Sequence, residues 1–204
     1  MHSTWTLLSA LGDSSWLLPC TALIALVGGI GGWLPWSIVR RWMLATGLAA
    51  LAVLASKIAF MGWGIGLARL DFTGFSGHAA MSAAVYPALL GWCCQAFDIR
   101  HRLWPGVLAG LVLALLTALS RVPLQAHSLS EVILGWCLGA AAVAWVLRRP
   151  GPPTRRAAVA GLLVIGLATA VLLRQMPLPS SHQIVVKLAQ TISGREQLYQ
   201  RMRS

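Results

Sequence analysis

Apolar runs of about 17 to 23 residues alternate with short polar breaks along the chain, at about 16 to 36, 42 to 64, 77 to 97, 103 to 119, 129 to 147 and 157 to 174. A helix needs roughly 20 apolar residues to cross the hydrocarbon core of a bilayer, so the pattern predicts six membrane-spanning helices. Polar clusters stand at the mouths of two of them. Ser76-Gly77-His78 opens the third run, and Arg121-Val-Pro-Leu-Gln-Ala-His127-Ser-Leu-Ser-Glu131 leads into the fifth. Ahead of the first run, Trp5-Thr-Leu-Leu-Ser-Ala-Leu reads as an interfacial segment, and behind the last, Pro177 and Pro179 open a basic polar tail. The tail suits an amphipathic helix on an anionic surface. The expected fold is all-α, a polytopic membrane helical bundle forming one domain over 1–204, with an interfacial segment at 1–15, a core over 16–174 and the tail over 175–204.

Composition strengthens this reading. Hydrophobic residues make up 57% of the chain and charged residues 10%, and the mean hydropathy is +0.73, whereas about a quarter of residues are charged in soluble domains. The N-terminus lacks the positive region and small-residue cleavage site of a signal peptide, so the first span is expected to be retained. Trp16, Trp33, Trp36, Trp42, Trp63, Trp104 and Trp145 cluster near span ends, as rings anchored at headgroup depth do. Cys20, Cys93, Cys94 and Cys137 fall inside apolar runs and read as small hydrophobes, with neither disulfide nor metal expected.

The net charge of +11 would suit nucleic acid if it lay on one soluble face, but the cations fall in the breaks between spans. Arg40 and Arg41, Arg100 and Arg102, and Arg148, Arg149, Arg155 and Arg156 occupy the first, third and fifth loops, which the positive-inside bias assigns to the cytoplasm. The loops at 65–76 and 120–128 and both termini then face outward. Arg174, Lys187, Arg195, Arg201 and Arg203 add charge on that side, mostly too far from span ends to govern orientation. The expected setting is a bacterial inner membrane with both polar clusters outside, membrane lipids as neighbours and no nucleic-acid partner.

Charge is scarce in this chain, with five Asp and Glu in all, so a cation, an imidazole and a carboxylate within one short stretch point to a site. Glu131 follows His127 by four residues, and on a helix begun there the two side chains would stack. A carboxylate on one ring nitrogen fixes the tautomer and frees the other nitrogen to attack. A carboxylate at a span entrance is also costly unless paired, which favours a functional role. Arg121 offers a planar fork and Lys57 a point charge, both suited to phosphoryl oxygens. Ser76 reads as the N-cap of a helix whose first amides bind phosphate, Gly77 allows close approach, and His78 can protonate a leaving oxygen. Singly, His78, Arg121 and Lys57 would pass as polar residues at span ends, Arg69 and Asp71 as a solvated pair, and His2, His101 and His182 as surface. Five dispersed acidic residues do not assemble an octahedral oxygen site easily, so no metal or other cofactor is expected.

These residues resemble the type 2 phosphatidic acid phosphatase superfamily, whose membrane members are lipid phosphate phosphatases related to vanadium haloperoxidases. The superfamily pattern is a Lys followed seven residues later by Arg-Pro, then Pro-Ser-Gly-His, then Ser-Arg, five residues, His, three residues and Asp. Here the second block is Phe75-Ser76-Gly77-His78 and the third is Ser120-Arg121, five residues, His127, three residues and Glu131. The resemblance implies a six-helix core, a phosphohistidine on His127, His78 as general acid, Glu131 as the orienting carboxylate, and phosphate held by Lys57, Ser76, Gly77 and Arg121. Three departures stand out: Glu131 for Asp, Phe75 for Pro, and Gly64 where the first block has Arg. Arg69 is the nearest cation to make good that loss. The expected function is metal-independent hydrolysis of a lipid-linked phosphate or diphosphate, such as undecaprenyl diphosphate, phosphatidic acid or phosphatidylglycerol phosphate. The alternatives are a lipid phosphotransferase with the same intermediate, or an inactive transporter or scaffold.

Overall fold

The computed structural model describes residues 2–96, 103–148, 166 and 181–200. Among them the chain is all-α, with a single isolated bridge and no strand. Helices α1 (His2–Leu11) and α2 (Ser14–Ile30) meet at a corner where Asp13 caps α2, its carboxylate accepting the Ser15 amide at 3.0 Å. Then come α3 (Trp36–Trp63), α4 (Gly77–Ala96), α5 (Leu103–Leu119), α6 (Leu129–Leu147) and α7 (Ser181–Ser193). Three stretches, Thr4–Ile30, Trp36–Trp63 and Leu129–Leu147, are long and apolar enough to cross a membrane, and Leu103–Leu119 is a shorter apolar helix. The predicted span at 157 to 174 lies outside the described residues apart from residue 166.

α4 is the axis of the bundle, packed most closely against α5 and α6. Its first half is built from small residues, and Ala79, Ala80, Ala83 and Ala84 are buried. Its neighbours approach through glycines four apart, the spacing that lets helix backbones touch. A Cβ at Gly135 of α6 would lie 2.7 Å from the Ser76 carbonyl oxygen, and one at Gly110 of α5 would lie 2.5 Å from Pro87 Cα. Close backbone contact thus sets where Ser76, and with it the start of α4, sits against α6. The outer faces carry exposed Leu44, Leu48, Leu51, Leu108, Val112 and Ile133, as lipid-facing surfaces do.

Two expectations change. The second span begins at Trp36, directly after Pro35, so Arg40 and Arg41 belong to the helix and not to the loop before it. A helix of 28 residues has turns to spare beyond the hydrocarbon, and Arg41 reaches the Val146 carbonyl at the end of α6 at 3.5 Å. Trp42 is not a headgroup anchor. It is fully buried, crosses the Trp92 ring edge-on at 4.9 Å and donates to the Ala84 carbonyl at 3.3 Å. Trp36, Trp63, Trp104 and Trp145 are exposed, as anchors should be.

Candidate active site

One end of the bundle holds a cavity of about 1150 Å³, lined by Lys57, Gly77, His78, Arg121, His127 and Glu131 together with residues of the α1–α2 corner and of the tail. Six of the eight residues expected at the site therefore come together, although they lie on α3, α4, α6 and the loop between α5 and α6.

His127 precedes Ser128, the N-cap of α6, so it stands outside the helix and does not stack on Glu131 along a helical face. A capping box makes the contact instead. Ser128 Oγ accepts the Glu131 amide while the Glu131 carboxylate reaches back to the Ser128 amide at 3.3 Å. Satisfying the helix start in this way brings Oε2 to 2.7 Å from His127 Nδ1. Oε1 accepts the Thr73 amide at 2.8 Å and the Thr73 hydroxyl. Glu131 is 1% exposed, and four contacts from three residues account for its burial. Burial lowers the pKa of the His127 imidazole from the ordinary 6.5, the hydrogen bond to Glu131 opposing that shift and the nearby Lys57 and Arg121 cations reinforcing it. The net shift favours the neutral ring, with Nδ1 turned to Glu131.

The loop at 65–76 is stitched to this helix start. Ser128 Oγ donates to the Asp71 carbonyl at 2.7 Å, Ser130 Oγ to the Leu70 carbonyl at 2.6 Å, and the Ser76 amide to the Glu131 carbonyl at 3.1 Å. Gly74, at φ +147°, brings the loop over Lys57, where a Cβ would lie 3.1 Å from Lys57 Cγ. Ser76 takes the N-cap position of α4, its carbonyl accepting the Ala80 amide at 3.0 Å, but its side chain makes no capping bond. Its hydroxyl is fully buried without a hydrogen-bond partner, behind Gly77 and out of the cavity lining. The close packing against Gly135 holds it there.

Arg121 donates through Nη1 to Ser9 Oγ of α1, while its Nε is buried without a partner. The α1–α2 corner thus belongs to the site. Asp13 and Ser14 line the cavity, and a Cβ at Gly12 would lie 3.2 Å from His78 Cβ. Nothing in the sequence pattern flagged Ser9 or Asp13, beyond the scarcity of acidic residues that makes any carboxylate worth following.

Arg69 is not brought to the site. Leu67 and Phe72 pair in an isolated bridge, closed by amide bonds of 2.9 and 3.1 Å, and the short 3₁₀ turn Ala68–Leu70 between them carries Arg69 exposed and away from the lining. Gly64, where the superfamily has Arg, ends α3 as a left-handed C-cap at φ +72°, and the Tyr199 ring lies against it. A side chain there would be strained and would meet that ring at 3.1 Å. His182, read from sequence as surface, lines the cavity. Among the described residues no group of three or more His, Cys, Asp or Glu is placed to hold a metal.

Over 97% of its length the chain is 35% identical to an uncharacterized 22.5 kDa protein in the cps region of Klebsiella pneumoniae, covering 95% of that protein. No solved structure matches. The PAP2 superfamily, the type 2 phosphatidic acid phosphatases, matches residues 20–155, a stretch that holds His78, His127, Glu131, Lys57 and Arg121 of the cavity. The chain belongs to the PAP2 superfamily, and that membership points to phosphatase-type chemistry.

Proposed function

We propose that the protein is a metal-independent membrane phosphatase that hydrolyses a lipid-linked phosphate or diphosphate through a phosphohistidine, at the outer face of a bacterial inner membrane. The observation that carries this reading is the His127–Glu131 pair, bonded through Nδ1 at 2.7 Å inside a cavity that also holds Lys57, Arg121 and the start of α4. Nε2 attacks phosphorus as the bond from phosphorus to the leaving oxygen breaks. Lys57, Arg121 and the first-turn amides of α4 take the charge on the equatorial oxygens. His78 gives its proton to the leaving oxygen, then takes one from the water that splits the phosphorus–nitrogen bond. Arg121, in the cavity lining, keeps a buried Nε with unused hydrogen-bonding capacity.

Orientation follows from charge. Arg40 and Arg41 begin α3 and Lys57 lies near its end, about 24 Å further on at 1.5 Å per residue, so the arginine-bearing end is opposite the cavity. Positive-inside bias then turns the cavity outward. The test is phosphate release by purified protein from lipid phosphates and diphosphates in EDTA, with acid-quenched phosphoenzyme measured alongside. Turnover in EDTA with a phosphoenzyme lost in His127→Ala supports the reading. A phosphoenzyme that survives in His127→Ala refutes the nucleophile, and no release from any substrate refutes the activity.

A further inference from the structure

The cavity is much larger than a phosphate. Sites that enclose a drug-sized ligand run to roughly 300–1,000 Å³, and this one measures about 1150 Å³. The candidate phosphate ligands make up part of its lining, and the C-terminal segment supplies another part, beside the α1–α2 corner and Phe60 and Met61 of α3.

That wall is built into the fold. Val185 and Ala189 of α7 are buried against Ile58 of α3, with Met61, Leu188 and Leu198 packed around them. The Tyr199 amide donates to the Met61 carbonyl at 2.9 Å, and Arg195 both bonds the Tyr199 hydroxyl at 3.2 Å and stacks 5.1 Å over its ring. Gly62 and Gly64 make the landing place, since a Cβ on either would meet Ser193 or Tyr199 at 3.0 to 3.1 Å. With residues 185 and 189 turned to α3, the adjoining face of α7 presents His182, Val186 and Gln190, spaced four apart, to the cavity.

The chemistry of this wall differs from that of the candidate phosphate ligands. Among the described residues the cations lining the cavity are Lys57 and Arg121, both among those ligands, and Lys187 and Arg195 of the tail are not in the lining. The tail contributes His182, Gln190, Gln197, Tyr199 and Gln200, with the carboxylate-bearing Glu196. An alkyl chain would find apolar side chains mainly at Phe60, Met61, Val186 and Leu198, and among the described residues a second phosphoryl group would meet amides and a carboxylate where it needs cations. Hydroxyl groups, which donate and accept, match them.

Resting on the phosphatase reading above, we propose that residues 181–200 form the leaving-group half of the site and select a phosphate monoester of a hydroxyl-rich alcohol, a polyol or sugar. The phosphoryl group passes to His127, and the polyol departs with the proton from His78 into the space beside α7.

The test compares kcat/KM of the full chain on phosphatidylglycerol phosphate, on soluble glycerol and hexose phosphates, on phosphatidic acid, on a polyprenyl diphosphate and on p-nitrophenyl phosphate. Polyol esters should lead, the lipid-borne and soluble members telling whether the polyol is a headgroup or a free sugar. In His182→Leu and Gln197→Leu, both exposed positions, the ratio of polyol ester to p-nitrophenyl phosphate should fall about fivefold to a hundredfold, the worth of one or two hydrogen bonds that the competitor lacks. Phosphatidic acid or diphosphate turned over as well as polyol esters, or an unmoved ratio in both variants, overturns the assignment while leaving the phosphatase intact. Release from no ester at all overturns both.

Discussion

Replacing Glu131 with Gln keeps the shape of the side chain and sets a conflict that no rotation resolves. Oε1 accepts two hydrogen bonds from Thr73, and Oε2 accepts the Ser128 amide while holding His127 Nδ1. An amide offers one oxygen and one NH₂ in place of two acceptors. With the oxygen toward Thr73, the NH₂ meets the Ser128 amide and presents a donor to Nδ1, which drives the ring proton onto Nε2, the atom that must attack. With the oxygen toward His127, the NH₂ meets the Thr73 amide. Either arrangement leaves a buried donor unmatched, at about 1–3 kcal/mol, which lowers Tm by about 2–4 °C per kcal/mol in a chain of this size. The kinetic effect is larger. Forcing the wrong tautomer on a triad histidine costs about 10⁴ in kcat in serine proteases, about 5.5 kcal/mol at 1.36 kcal/mol per decade. The assay is single-turnover phosphoenzyme formation in detergent, with thermal unfolding measured on the same preparation. A folded Glu131→Gln protein that forms phosphoenzyme within about tenfold of the parent rate, or 1.4 kcal/mol, refutes the orienting role.

Four other outcomes follow from the same geometry. His78→Ala should lose far more activity on an alkyl phosphate than on p-nitrophenyl phosphate, because a good leaving group needs less proton donation; equal losses count against the acid role. Since burial lowers the His127 pKa from 6.5 and only the neutral ring attacks, the acid limb of kcat/KM that belongs to His127 should lie below pH 6.5, and a limb assigned to His127 above pH 6.5 contradicts this. Arg69→Ala should retain kcat/KM within about twofold, as exposed charges away from a site do; a loss of tenfold or more, of the kind caused by removing a charge-stabilising donor, would bring Arg69 back to the phosphate. In a background without the native cysteines, Leu70→Cys should react with an impermeant maleimide in intact spheroplasts and Arg148→Cys should not, and the reverse pattern inverts the orientation.

Local sequence carried the parts of this protein that depend on neighbours in the chain. Ser120-Arg121, His127 and Glu131 lie within twelve residues, and one turn with one helix start suffices to assemble them. Apolar runs located α4, α5 and α6 to within a residue of their observed bounds. What stayed hidden depends on long-range packing. Trp42 and Trp92 are fifty residues apart, and nothing near either tells a buried ring from an anchored one. Ser9 meets Arg121 across 112 positions, and the tail meets the cavity only because α7 docks on α3. His182 is exposed, as read, and what the sequence does not show is that this surface lines the cavity. Periodicity reports which face of a helix is apolar, and the position of a polar side chain in a distant wall leaves no trace in it.

The two departures from the superfamily pattern with structural consequences, Glu131 and Gly64, are explained by what surrounds them. A carboxylate at the third position of α6 does three jobs at once: it closes the capping box on Ser128, takes both donors of Thr73 and holds His127. The reciprocal box is made by Glu or Gln at that position, whose extra methylene lets the side chain curl back to the amide of Ser128 while one oxygen still reaches the loop. Gly64 is the same case at the end of α3. The left-handed cap turns the chain away and leaves a flat place on which Tyr199 rests, so the position that would carry a cation into the site instead receives the C-terminal segment. The site has exchanged a fixed charge for a wall of amides and an imidazole. On the proposed reading, that exchange alters what the cavity can hold beyond the phosphate and leaves the attack at phosphorus to His127.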